Sequence, residues 1–185
     1  MKRLLIVALL FGIPFAAWAL ISPAWLLESF KQVSCIDNSI CTDDLSRLQE
    51  ETQLYGDAMQ FLVKELAPLE KRPVVVFCST ESCYRSFGFH GSAAESIGRF
   101  CIVVSPRGWK PYFLRHEMIH RLQVQQYGIL RMFMEPQWFI EGMAYSLSDD
   151  PRTELAPPFQ EYRSRFQTWY LGVGKEHLWE TSRLP

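Results

Sequence analysis

One stretch of the chain, from Pro111 to Gly128, constrains the fold more than any other. It reads as a single helix. Pro suits a first turn, where its missing N–H costs nothing, and Gly suits a C-terminal stop. Phe113, Leu114, Ile119, Leu122 and Val124 supply apolar positions along it. Inside it runs His116-Glu117-Met118-Ile119-His120. Residues four apart on a helix share a face, so both imidazoles can grip one metal ion with Glu117 beside them. Met118 and Ile119 read as core contacts that fix the helix. Two donors leave a metal site incomplete, so another element must cross this helix and bring a further ligand.

That element is legible downstream. A second helix is predicted from Pro136 to about Leu147, stopped by Ser148-Asp149-Asp150-Pro151. It contains Trp138-Phe139-Ile140-Glu141-Gly142-Met143-Ala144. After a chain reversal between Gly128 and Pro136, the two helices can face each other across one ion, with Glu141 as the third ligand. Gly142 and Ala144 are small and would let the second helix come close to the first. The plainer reading of Glu141 is a solvated helix carboxylate. Tyr145 lies one turn beyond Glu141 on the same face and is a candidate donor to an oxyanion. Tyr162, Tyr170 and His177 compete with it for that role.

Elsewhere, Thr42 is a plausible N-cap for a helix in which Leu45, Leu48, Thr52, Tyr55, Met59, Leu62 and Leu66 recur at steps of three and four, ending before Pro68. Its expected place is across a sheet. Pro73 to Cys78 reads as a buried strand, and Arg99 to Ser105 as another. The Ser- and Gly-rich segment from Ser79 to Gly98 reads as loop, as does the polar stretch around Cys35 to Cys41. After Pro157-Pro158, Phe159 to Tyr170 forms a last aromatic-rich helix. The order predicts an α+β fold with a small, mostly antiparallel sheet packed on helices, and the metal site between the His-Glu helix and the glutamate helix that follows.

Composition bounds the partners. The 185 residues suit one domain, and 48% hydrophobic against 21% charged residues allows a packed core. A net charge of -1 without a basic run argues against nucleic acid. Aromatic residues at 14% read first as core, with a cleft or membrane-facing surface as the other option. Lys2 and Arg3 precede an uncharged stretch from Leu4 to Leu27, against the ~20 residues a bilayer crossing needs. The same region reads as a signal peptide, with an apolar core from Leu4 to Phe15 and a small-residue site at Ala17-Trp18-Ala19. Both readings export residues 28–185 as a single periplasmic or extracellular domain, secreted or anchored to the membrane through residues 4–27. The five cysteines agree with export. Cys35 with Cys41 and Cys78 with Cys83 can form two local disulfides, leaving Cys101 unpaired, although other pairings and reduced thiols stay open. Cys78 and Cys83 are spaced too widely for a C-x-x-C zinc knuckle.

H-E-M-I-H followed by W-F-I-E-G-M-A resembles the gluzincin group of zinc metallopeptidases, the thermolysin-like enzymes with a His, His, Glu site. The resemblance is carried by Arg115 to Tyr145. It implies Zn2+ held by His116, His120 and Glu141, with Glu117 as base toward a zinc-activated water and then as acid toward the leaving amine. It implies a peptide or protein substrate that pairs with the strand at Ile102 to Ser105, forming the cleft edge. The chain departs from the group in having Tyr145 where an Asp often orients a ligating His. Glu135, Asp149 and Asp150 are candidates to replace that Asp. The Gly-Ala-Met-Glu-Asn signature of the related aminopeptidases is absent. The alternative reading is a zinc-containing binding or assembly module of the cell envelope with little or no turnover. His90 and His177 read as loop and tail residues. Arg121 either pairs with a carboxylate or covers the helix face.

Overall fold

The computed structural model describes residues 28–180, so the signal or anchor expected over residues 1–27 lies outside the described residues. The chain divides into two compact units, Met1–Gln32 and Val33–Pro185, and the fold below is that of the second. Among the described residues, no helix is long and apolar enough to cross a membrane.

Five strands form one sheet in the order β1-β2-β3-β5-β4. They are β1 (Ser34–Ile36), β2 (Ile40–Thr42), β3 (Val74–Phe77), β4 (Ala94–Ile97) and β5 (Cys101–Val104). The class is α+β as expected, but the sheet is mixed and not mostly antiparallel. β1–β2 and β4–β5 are antiparallel, while β2–β3 and β3–β5 are parallel. The reason is connectivity. Helix α1 (Leu48–Glu65) carries the chain from β2 to β3, and a crossover of that length returns the next strand in the same direction. β1 and β2 occupy what reads as a polar loop. Their turn places Asp37 and Asn38 at φ 51° and 53°, a left-handed conformation that short polar side chains tolerate.

Thr42 does not cap α1. It is buried in β2, and Asp44 caps the 3-10 turn Leu45–Arg47 ahead of the helix, accepting from the Ser46 N–H at 3.0 Å. The expected loop from Ser79 to Gly98 holds two elements. Helix α2 (Glu81–Ser86) is capped by Thr80, whose hydroxyl accepts from the Cys83 N–H at 3.1 Å. The other is β4, the edge strand. β5 is therefore interior, paired on both sides, and the cleft-edge role expected of Ile102 to Ser105 falls to β4. Disulfides join Cys35 to Cys41 and Cys78 to Cys83, and Cys101 is a buried free thiol. Two disulfides suit an oxidising compartment.

Val75, Phe77, Ile102 and Val104 alternate onto one face of the sheet. There they pack with Tyr55, Ala58 and Leu62 of α1 and with Leu114, Met118 and Leu122 of helix α3 (Pro111–Tyr127). The chain then forms α4 (Ile129–Met134), α5 (Gln137–Leu147) and α6 (Phe159–Val173). α4 lies within the expected reversal. Ile119 and Tyr127, on another side of α3, join a second core with Phe139, Ile140, Met143 and Phe166 of α5 and α6. Gly142 serves a different contact from the one expected. A Cβ there would meet the Tyr162 carbonyl oxygen at 2.3 Å and the Phe166 Cβ at 2.7 Å, so its missing side chain brings α5 against α6, not α3.

Candidate metal centre

α3 presents His116 and His120 one turn apart, and α5 crosses it carrying Glu141. The two imidazole Nε2 atoms stand 3.1 Å apart. Glu141 Oε2 is 3.5 Å from His116 Nε2, and its Oε1 is 3.5 Å from His120 Nε2. Donors bound at ordinary Zn–N and Zn–O lengths, at tetrahedral corners, would be separated by about 3.3 Å. The two imidazoles thus stand close to that spacing, each with one Glu141 oxygen beside it, and the three residues, whose donor atoms lie within 4.8 Å of one another, could hold a metal ion. His90 and His177 are not part of the group. His177 bonds instead to Glu180 at 2.8 Å.

Without a metal, the site's charges settle on one another. Burial opposes a charge on His120, but the Glu141 hydrogen bond and carboxylate, then Glu117 and Gln123, push its pKa up to about 9. Burial likewise resists the Glu141 carboxylate, and the hydrogen bonds and charges of His116 and His120 more than offset it, holding the group well below the usual carboxylate range. A cation between these groups would take over the electrostatic role of the shared proton.

The orientation of His120 is set by a residue that the sequence reading passes over. Gln123 is fully buried. Its Nε2 donates to the Ile140 carbonyl at 2.9 Å, and its Oε1 lies 2.7 Å from His120 Nδ1. A carbonyl only accepts, so the amide must face it with nitrogen, and Oε1 must accept from Nδ1–H. With Nδ1 keeping its proton, a metal that displaces the Nε2 proton finds that lone pair aimed at it. The same amide ties α3 to α5 one residue ahead of Glu141. The available signal was position: Gln123 stands three residues past His120, on the same side of the helix. The carboxylates considered for this role serve elsewhere. Glu135 bonds Arg131 at 3.0 Å, Asp149 bonds Arg115 at 3.1 Å, and Asp150 pairs with Arg152.

Glu117 is 8% exposed, and its Oε2 accepts from the Ser96 hydroxyl at 2.7 Å. The edge strand β4 thereby holds the carboxylate in place in the same cleft as His116, His120 and Glu141. The Tyr145 ring packs against His116 with centroids 4.4 Å apart. Burial pushes the Tyr145 phenol up to about 12, so it keeps its proton as a donor. These groups line a cleft of about 730 Å³ between β4, α3 and α5. Tyr145 lines it, whereas Tyr162, Tyr170 and His177 do not. No family model, no curated protein and no solved structure matches this chain.

Proposed function

We propose that this chain is an exported zinc-dependent peptidase. One observation carries the reading: His116, His120 and Glu141 converge within reach of one ion while a carboxylate that is no part of that group, Glu117, lines the same open cleft. A purely structural metal site has no use for that extra carboxylate or for access from solvent. Export is supported by the disulfides and by the apolar N-terminal stretch.

Zinc, when bound, lowers the pKa of water to about 7 and polarises a carbonyl. The chain's own groups do the rest. Glu117, steadied by Ser96, takes the proton from water as the oxygen attacks the scissile carbonyl carbon. It returns that proton to the amine nitrogen as the C–N bond breaks. The neutral Tyr145 hydroxyl donates to the negative charge developing on the carbonyl oxygen. β4 offers an extended peptide its unpaired edge, and Gln123 keeps the His120 ring in one tautomer throughout.

Glu117→Gln tests this. Metal content measured on the purified full chain should match wild type, while cleavage of a broad peptide library should fall by about 10²-fold or more. If the wild type holds metal and cleaves nothing in that library, the peptidase reading fails and the chain is a metal-containing module of the cell envelope.

A further inference from the structure

Four arginines line the cleft, and their charges are treated differently. Arg107 and Arg152 are each already matched by a carboxylate: Glu81 at 3.5 Å for Arg107, and Asp150 for Arg152, while Arg99 is exposed to solvent. Next to His120 on α3, where the cleft continues toward α4, stands Arg121. Its Nε and Nη2 are closed off from solvent and bond to nothing. Arg121 as a whole is half-buried. The buried Arg163, by contrast, donates to the carbonyls of Arg152 at 2.7 Å and Thr153 at 2.8 Å, and to Gln160 Oε1 at 2.7 Å. Arg115 leaves its Nε unbonded but pairs through Nη1 with Asp149 and lies 4.2 Å over the Phe61 ring.

Desolvating a cation without a partner is costly, and a native protein that tolerates it usually does so for a reason. The charges around Arg121 leave its guanidinium without a bonded partner. Cys101 is buried, its thiol pushed up to about 11 and so uncharged, and the Glu117 carboxylate favours the Arg121 charge through space while its Oε2 takes the Ser96 hydroxyl. With Nε and Nη2 enclosed, Nη1 is the edge of the guanidinium left to meet a ligand. The same cleft is lined by apolar side chains from this part of the chain: Val124, one turn past Arg121 along α3, and Ile129, Met132 and Phe133 of α4.

We infer that Arg121 anchors a carboxylate subsite in this part of the cleft, selecting peptides that bear an acidic group beside an apolar residue. The inference rests on the peptidase reading for its purpose and deepens it by naming the substrate class. Arg121 follows His120 directly, and an extended peptide advances about 3.3 Å per residue. The recognised carboxylate therefore lies within a few residues of the scissile bond. An Asp or Glu side chain and a free peptide C-terminus offer the same chemistry.

Binding separates this from catalysis. The probes are four hexapeptides, titrated calorimetrically into the metal-loaded full chain carrying Glu117→Gln. Ac-Ala-Ala-Leu-Glu-Leu-Ala-NH2 is compared with its Gln twin, and Ac-Ala-Ala-Leu-Ala-Ala-Leu as free acid with its C-terminal amide. At least one acidic member should bind about tenfold or more tightly than its neutral twin, the gain expected of a buried charge-assisted hydrogen bond. The pair that shows the difference identifies the source of the carboxylate. Adding Arg121→Met should erase the difference and leave the neutral peptides' affinity unchanged. Its melting temperature should not fall, since two enclosed, unbonded guanidinium nitrogens are being removed. The inference is overturned if each acidic peptide binds like its neutral twin, if none binds, or if the preference survives Arg121→Met, since the metal would then be the anion's partner. Cleavage by wild type without acidic preference sinks the subsite alone. An Arg121-dependent preference in a protein that cleaves nothing sinks the peptidase reading alone.

Discussion

Replacing Gln123 by Met removes two hydrogen bonds at nearly constant volume. It leaves the Ile140 carbonyl and the His120 Nδ1–H without the partners they have at 2.9 Å and 2.7 Å. An orphaned buried polar group costs about 1–3 kcal/mol, so the variant should lose roughly 2–4 kcal/mol of stability. At about 2–4 °C per kcal/mol for a domain of this size, the metal-free protein should melt roughly 5–15 °C lower. The metal should suffer separately. Losing the group that orients a ligating His costs about 10- to 100-fold in affinity, measurable by competition with a chromogenic chelator. Gln123→Glu divides the two effects. It keeps an acceptor for His120 but no donor for Ile140, so stability falls while metal affinity stays within about tenfold of wild type. A Gln123→Met protein that binds metal as tightly as wild type would refute the tautomer argument.

Two further outcomes follow from packing and burial. Glu51 is fully buried, bonded through Oε1 to the Thr42 hydroxyl at 2.6 Å and with Oε2 unpartnered; burial pushes its carboxyl up to about 7. The unfolded chain gives up this proton near pH 4.3 while the folded chain keeps it, so this group's contribution to stability falls from about pH 4.3 to 7 and then levels off. Glu51→Gln should therefore be more stable than wild type at pH 8 by about 1–3 kcal/mol and close to it at pH 4; a denaturant titration at the two pH values with no widening gap would contradict this. Gly142→Ala places a methyl 2.3 Å from the Tyr162 carbonyl oxygen, a backbone atom that cannot swing aside. It should cost about 1–3 kcal/mol or more in thermal unfolding, whereas a neutral result would show that α5 and α6 are not packed as closely as described.

The candidate centre was largely legible because its determinants are local. His116 and His120 share a helical face by spacing alone, and Glu141 stands out as an acidic residue inside an apolar helix with small neighbours. Gln123 escaped notice because a neutral amide is unremarkable in a sequence until its burial is known. β4 escaped because Ala94-Glu95-Ser96-Ile97 lacks the β-branched run that marks β3 and β5, as edge strands often do. The mixed sheet was not legible either. Strand direction depends on where a crossover returns the chain, which no residue of β2 or β3 encodes by itself. Gly142 shows a subtler limit: its smallness signalled a close approach correctly, but not which helix does the approaching.

α3 belongs to two cores at once, with Met118 in the one built on the sheet and Ile119 in the one built by α5 and α6. The ligands straddle the same seam, two on α3 and one on α5. A metal held there is therefore linked by mass action to the docking of the C-terminal helices. Its loss lowers the free energy of local opening for α5 and α6 before that of the sheet. Occupancy of the site would then govern how long the C-terminal helices stay docked, and with it how long the fold resists proteolysis.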